Sequence, residues 1–166
     1  GLHDESGGGL HDAVREEAAA EASASLDALR LEEGASWILL TGATGRVGAF
    51  VLAELLEKGH RVISLVRPQS HAGRKVRLAR ARLKRALVFG ARRWEDEWWG
   101  RLHVACGDLS RTRLGLKAAE YAALTARVRV VMHAGALVNR KAHYEACRQP
   151  NVLGTREVIR FAASAH

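Results

Sequence analysis

The residues best suited to chemistry lie in one short stretch and at one arginine beyond it. Residues 41–48 read Thr41-Gly42-Ala43-Thr44-Gly45-Arg46-Val47-Gly48, so the glycines follow G-x-x-G-x-x-G. The stretch comes directly after the apolar run Trp37-Ile38-Leu39-Leu40 and before a helical pattern. In that setting each glycine has its own task. Gly42 permits a tight turn, Gly45 lets backbone approach a pyrophosphate, and Gly48 lets a helix pack closely on a strand. Unpaired N–H groups at the helix start, together with the positive end of its dipole, then favour phosphate. A glycine triplet alone is a weak signal; between a strand and a helix it points to a dinucleotide.

The choice of dinucleotide depends on the end of the next strand. NAD binders place an acid there, about 20 residues on, to hold the ribose hydroxyls. Here the run Arg61-Val62-Ile63-Ser64-Leu65-Val66 ends in Arg67 with no acid nearby. A guanidinium can grip a 2′-phosphate through two parallel hydrogen bonds, which favours NADP. A solvated surface arginine is the bland alternative.

The elements that must position these residues follow from periodicity. Strands are predicted at 37–40, 61–66, 102–105 and 128–133. Helices are predicted at 45–58, with Val47, Val51, Leu55 and Leu56 on one face, and at 72–89, 118–126 and 154–165. Alternation of strand and helix implies right-handed crossovers and a parallel α/β sheet with helices on both faces. A Rossmann-type sheet, which the glycine turn suggests, would order the four strands 3-2-1-4 and, if truncated there, would leave an apolar edge (Val128, Val130, Val131, Met132) uncovered on the fourth.

Composition sets the limits. The chain has 166 residues, of which 48% are hydrophobic and two are proline, enough to bury a core. Residues 1–36 carry nine acids against two arginines, a net of −7, leaving +15 on residues 37–166 of a chain whose net charge is +8. This charge boundary separates an acidic, glycine-bearing linker with a short leader helix (1–36) from a nucleotide-binding portion (37–166). Residues 67–93 hold ten Lys or Arg and no acid. A solvated helix face is the default for that run. An acidic partner comes second, and nucleic acid third, because no nucleic-acid motif accompanies it and only 5% of residues are aromatic. Cys106 and Cys147 cannot build a disulfide framework and read as buried small residues in a reducing, cytoplasmic setting. No apolar run reaches the length of a membrane span. The eight histidines show no metal-ligand spacing, so no metal is expected. Trp94, Trp98 and Trp99 are expected to close the basic helix against the sheet.

Taken together, six blocks resemble a known family. They are I-L-L-T-G-A-T-G-R-V-G-A at 38–49, L-V-R at 65–67, G-D-L-S at 107–110, L-G-L-K-A-A-E-Y-A-A-L at 114–124, H-A-G-A-L-V-N at 133–139 and N-V-L-G-T-R-E-V-I-R-F-A at 151–162. From Trp37 to His166 the chain resembles the N-terminal part of the NADPH-dependent thioester reductase domain of nonribosomal peptide and polyketide synthetases. Carboxylic acid reductases and aminoadipate reductase carry relatives, all of extended short-chain dehydrogenase type. Fatty acyl-CoA reductases share a looser version and are the rival enzyme reading. A non-catalytic nucleotide- or nucleic-acid-binding module is the rival from another class.

The resemblance implies roles. Residues 41–48, with Thr41, Gly42, Thr44, Gly45, Arg46, Val47 and Gly48 named as contacts, would hold the pyrophosphate of NADPH. Arg67 would meet the 2′-phosphate, aided by Arg82, with Arg77 the alternative. Asp108 and Leu109 would border the adenine, and His133, Ala134, Gly135 and Ala136 the nicotinamide side. Arg46 departs from a large apolar residue, and Ala134 from Asn or Ser. The implied activity is reductive release of an acyl or peptidyl thioester from the phosphopantetheine arm of a carrier-protein domain, as aldehyde or alcohol. The family's Tyr-x-x-x-Lys pair is missing here, since Tyr121 is followed by Thr125 and Tyr144 by Arg148. By family order the pair falls beyond His166, so no catalytic residue is assigned and this portion alone is expected to be inactive.

Overall fold

Four short apolar runs form the strands, and their register brings four chain turns to one end of the sheet. The computed structural model describes residues 34–68, 75–89, 93–139 and 141–165. Strands β1 (Trp37–Thr41), β2 (Arg61–Val66), β3 (Leu102–Cys106) and β4 (Val128–His133) lie in the order β3-β2-β1-β4. All three pairings are parallel, with Leu39 opposite Ile63 and Val131. The expected 3-2-1-4 order is therefore the observed one. The central strands are apolar along their length because both faces are covered.

Helices α1 (Arg46–Glu57) and α2 (Lys75–Phe89) cover one face. Their Leu52, Leu56, Leu83 and Leu87 pack with Leu40, Val62 and Val104 of the strands and with Trp94 and Trp98. On the other face α3 (Ala118–Thr125) and α5 (Gly154–Ser164) bring Leu124, Val158 and Phe161 against Leu39, Ile63 and Ala105. Between β4 and α5 lie a single turn, α4 (Tyr144–Cys147), and a π-helical stretch Arg148–Leu153. Sequence periodicity does not reveal either. Pro150 lacks an N–H, and the wider π turn accommodates that gap within an otherwise continuous helical path.

Three expectations need correction. Val47 is 67% exposed, and α1 buries Gly48, Ala49, Leu52 and Ala53 instead. Residue 48 must face the preceding loop at a distance that only glycine tolerates, which turns its neighbour Val47 outward. Cys106 and Cys147 are half-buried rather than buried. At the sheet edge Val128 is fully buried, while Val130 and Met132 are exposed. The expected leader helix and the first three residues of the basic helix lie outside the described residues. The tryptophans do close α2: Arg80 stacks over Trp99 at 4.8 Å, and Lys84 lies 5.9 Å from the Trp94 ring and 3.6 Å from Asp96. No helix among the described residues is long and apolar enough to cross a membrane.

Candidate functional site

The turns at the carboxyl ends of β1–β4 converge, as the crevice of an open parallel sheet requires. The first turn depends on glycine at two positions. Gly42 has φ +76°, and a Cβ there would sit 2.5 Å from the Ala134 carbonyl. A Cβ on Gly48 would lie 2.1 Å from Gly42 O. Gly45 differs from both. It is extended (φ −90°, ψ 170°), caps α1 and donates its N–H to Gly42 O at 2.8 Å. A Cβ at Gly45 would meet only Gly42 O, at 3.2 Å, with open space beyond. Thr44 is half-buried, and Gly45, Arg46 and Val47 are exposed around the first turn of α1, which carries no acid and no side-chain cap. The orphan N–H groups and dipole of that turn, with Arg46 beside them, make a positive, unobstructed cradle. A pyrophosphate fits it.

Beyond β2, Arg82 reaches across from α2 and donates from Nη1 to Arg67 O at 2.7 Å. Burial, then the charges of Arg67 and Arg85, push the Arg82 guanidinium below the ordinary arginine range. It stays protonated at neutral pH all the same. Among the described residues neither arginine pairs with a carboxylate, so two adjacent cations share a place with no anion. Arg77 is exposed, and the side-chain bond to Arg67 comes from Arg82.

The turn after β3 is held by backbone. Asp108 N–H donates to Leu114 O at 2.7 Å, and Asp108 Oδ1 accepts the Ser110 N–H at 2.9 Å. The acceptor Leu114 lies in an unusual run of left-handed residues: Arg113 (φ 53°), Leu114 (φ 56°) and Gly115 (φ 70°). For the two non-glycine residues this conformation costs about 1–2 kcal/mol each. The buried Glu157 of α5 holds the turn by accepting the Arg113 N–H at 3.0 Å, while its other oxygen meets Arg160. Leu109 then packs under the next turn, 2.7 Å from the position of a Cβ on Gly135.

Residues 133–136 close the site. Ala134 N–H donates to Thr41 O at 3.2 Å, and Gly135 N–H to Thr41 Oγ1 at 3.2 Å. The His133 ring lies between Thr41 Oγ1 (2.6 Å from Nδ1) and Thr155 Oγ1 (3.2 Å from Nε2). Burial lowers its pKa. Asn151 fixes the outgoing chain with two bonds to Leu137, at 2.7 Å to its N–H and 3.1 Å to its carbonyl. Thr41, Gly42, Leu109, His133, Ala134 and Gly135 are thus brought together, with Arg67 and Arg82 as a second group and Ala136 exposed at the rim. Sequence reasoning did not single out Asn151, Thr155 and Glu157. Beyond their place in the 151–162 block, their signal is spacing: Asn151 and Thr155 are four apart and share a helix face, beside the buried Val158. Tyr121 stacks edge-on against Phe161 at 5.2 Å, and Tyr144 is exposed.

The chain is similar to known proteins in sequence and in fold. The chain is 42% identical over 127 residues to one of the subunits of linear gramicidin synthase from Brevibacillus parabrevis, covering 76% of this chain and 2% of that one. To the L-2-aminoadipate reductase large subunit of Penicillium chrysogenum it is 37% identical over 133 residues, covering 76% and 9%. Carboxylic acid reductase of Segniliparus rugosus is 35% identical over 133 residues, covering 75% and 11%. Among solved structures, the terminal R domain from the myxalamid PKS-NRPS biosynthetic pathway matches with a TM-score of 0.69 and 37% identity, over 79% of this chain and 33% of that one. The reductase (R) domain of a nonribosomal peptide synthetase from Mycobacterium tuberculosis matches with a TM-score of 0.58 and 32% identity, over 84% and 34%. The chain thus spans about a third of those R domains and a small part of the curated relatives. Residues 40–166 match the family described as Male sterility protein, and the chain belongs to that NAD-binding family of reductases.

Proposed function

We propose that residues 37–166 are the NADPH-binding portion of a reductase that releases an acyl or peptidyl thioester from a carrier-protein domain, and that residues 1–36 link it to what precedes it. The observation that carries the cofactor choice is the Arg67–Arg82 pair, where an acid would serve NAD. The Arg82 guanidinium is tied to the Arg67 backbone and feels the Arg67 charge, so a dianion such as a 2′-phosphate would be favoured beside these two cations. In this reading Thr41, Gly42, Thr44, Gly45, Arg46, Val47 and Gly48 bind the pyrophosphate through backbone N–H groups, with Arg46 adding positive charge. Asp108 and Leu109 border the adenine. His133, Ala134, Gly135 and Ala136 form the wall on the nicotinamide side. The bound cofactor supplies the hydride for a thioester carbonyl, and this chain's residues orient it.

The similarity to synthetase and carboxylic acid reductase chains supports a carrier-borne thioester as substrate. Isothermal titration with NADPH and NADH tests the cofactor assignment. The unmodified chain should prefer NADPH. Arg67→Ala and Arg82→Ala should each weaken NADPH by about tenfold or more, the equivalent of one charge-assisted contact, and leave NADH nearly unchanged. Equal loss for both nucleotides would overturn the assignment. Mass-spectrometric detection of aldehyde or alcohol released by the intact parent from its loaded carrier tests the reaction; hydrolysis to free acid alone would overturn it.

A further inference from the structure

Among the described residues both nitrogens of the His133 ring face a hydroxyl, and the hydrogens in that chain can be placed by elimination. Thr155 Oγ1 donates to Asn151 O at 2.5 Å, because a carbonyl can only accept. Its single hydrogen is therefore used, and toward His133 Nε2, 3.2 Å away, it can only accept. Nε2 carries a hydrogen. On the other side Thr41 is fully buried, and its Oγ1 already accepts the Gly135 N–H. Among the described residues the sole acceptor within reach of the Thr41 hydroxyl hydrogen is His133 Nδ1, at 2.6 Å. Nδ1 therefore has to be bare. A doubly protonated ring would put two donors face to face and strand a buried hydroxyl hydrogen, at about 1–3 kcal/mol.

We propose that His133 is a positioning residue held as the neutral Nε2–H tautomer, tying the 133–136 turn to β1 and α5, and that protonation of its ring loosens this turn and weakens dinucleotide binding. The second half rests on the reading of the site as a dinucleotide site; the first does not. The elements around the ring carry few groups that would compete. β1 has none that titrates. In the adjoining turns and on α5, Asp108 accepts from Ser110 N–H, and Glu157 is engaged by Arg113 N–H and Arg160. Arg46 and Arg156 are exposed cations. Among the described residues the ring bonds only to the hydroxyls of Thr41 and Thr155, and no carboxylate on those elements pairs with it.

Two measurements on the full chain test this. Nitrogen-15 NMR of histidine-labelled protein should show one ring, missing from the spectrum of His133→Asn, with the hydrogen on Nε2 at neutral pH. As the pH falls and that ring titrates, the Gly135 amide resonance should move with it. A ring with the hydrogen on Nδ1, or a Gly135 amide indifferent to the titration, would overturn the proposal. Second, NADPH affinity should be measured from pH 7.5 to 5 for both proteins. Once the ring charges, the unmodified chain should lose about tenfold per pH unit beyond any loss in His133→Asn. The 2′-phosphate titrates in the same range in both, so the difference between the two slopes is the readout. Parallel slopes would overturn the link to binding. Failure of both proteins to bind NADPH at any pH, with the tautomer and the Gly135 response present, would sink the cofactor assignment and leave the tether standing.

Discussion

Two glycines three residues apart separate folding from binding. Gly48→Ala places a methyl 2.1 Å from Gly42 O, where ordinary contact begins at 3.4 Å. The obstacle is backbone on the far side, so α1 must move more than 1 Å from the sheet end. Overpacking of this kind costs about 1–3 kcal/mol, and rigid backbone puts it at the upper end. For a domain of this size, about 3 kcal/mol lowers Tm by roughly 10 °C. Gly45→Ala is the contrast. Its φ of −90° suits alanine, and the new methyl touches only Gly42 O at 3.2 Å. Losing glycine at a cap position costs at most about 1 kcal/mol, or ~3 °C. The same methyl enters the space assigned to the pyrophosphate, and a clash of 1–3 kcal/mol weakens binding about tenfold to a hundredfold. Thermal melting and NADPH titration on both variants check this. Gly45→Ala binding as the unmodified chain does, or losing stability as Gly48→Ala does, would refute the assignment of Gly45 to the ligand.

Three further outcomes follow from buried polar groups. Ser64 is fully buried in β2, and its hydroxyl has no hydrogen-bond partner among the described residues, so Ser64→Ala should raise stability by about 1 kcal/mol in urea denaturation. Burial, and then the Arg80 charge, lower the His103 pKa from 6.5 to about 4. The unfolded chain then binds the proton first, so the His103 contribution is intact above pH 6.5 and about 3 kcal/mol is lost by pH 4; urea midpoints of His103→Leu should fall less steeply across that window. Glu157→Ala leaves the Arg113 N–H without its acceptor and should cost about 1–3 kcal/mol, whereas Glu157→Gln, which keeps a carbonyl oxygen there, should recover most of it in the same melts.

Strand positions and the glycine turn were legible because each rests on local pattern, and the strand order followed from the Rossmann-type arrangement they resemble. Trp37-Ile38-Leu39-Leu40, too short for a helix and closed by Thr41-Gly42, reads as a doubly covered strand, and Gly42 and Gly48 occupy places where any Cβ collides. The errors came where neighbours decide. Val47 matches the apolar period of α1 and still faces solvent, because Gly48 fixes the rotation of the helix. Arg113 and Leu114 carry no sign of their left-handed backbone; Glu157, 44 residues away from Arg113, supports it. Asn151 and Thr155 act on the 133–137 chain through a helical stretch that Pro150 conceals from periodicity.

The site is also unevenly supported, and this has a measurable consequence. At β1 the open cradle is backbone against backbone and rests on the buried Leu39, Leu40 and Ala43. At β4 the wall hangs on side-chain bonds from Thr41, Asn151 and Thr155, on a strand with one bonded neighbour and with Val130 and Met132 exposed. Few buried contacts and an open edge mark the low-stability end of a fold. Amide hydrogen exchange should therefore release β4, including the amides that pair with β1, well before β1 and β2. A ligand that presses on 133–136 can only bind the closed arrangement, so NADPH should slow exchange in β4 more than in β2. Equal protection across all four strands in the free chain would mean that the His133 tether is not what limits opening, and that the apolar edge is covered by something stronger than those three side chains.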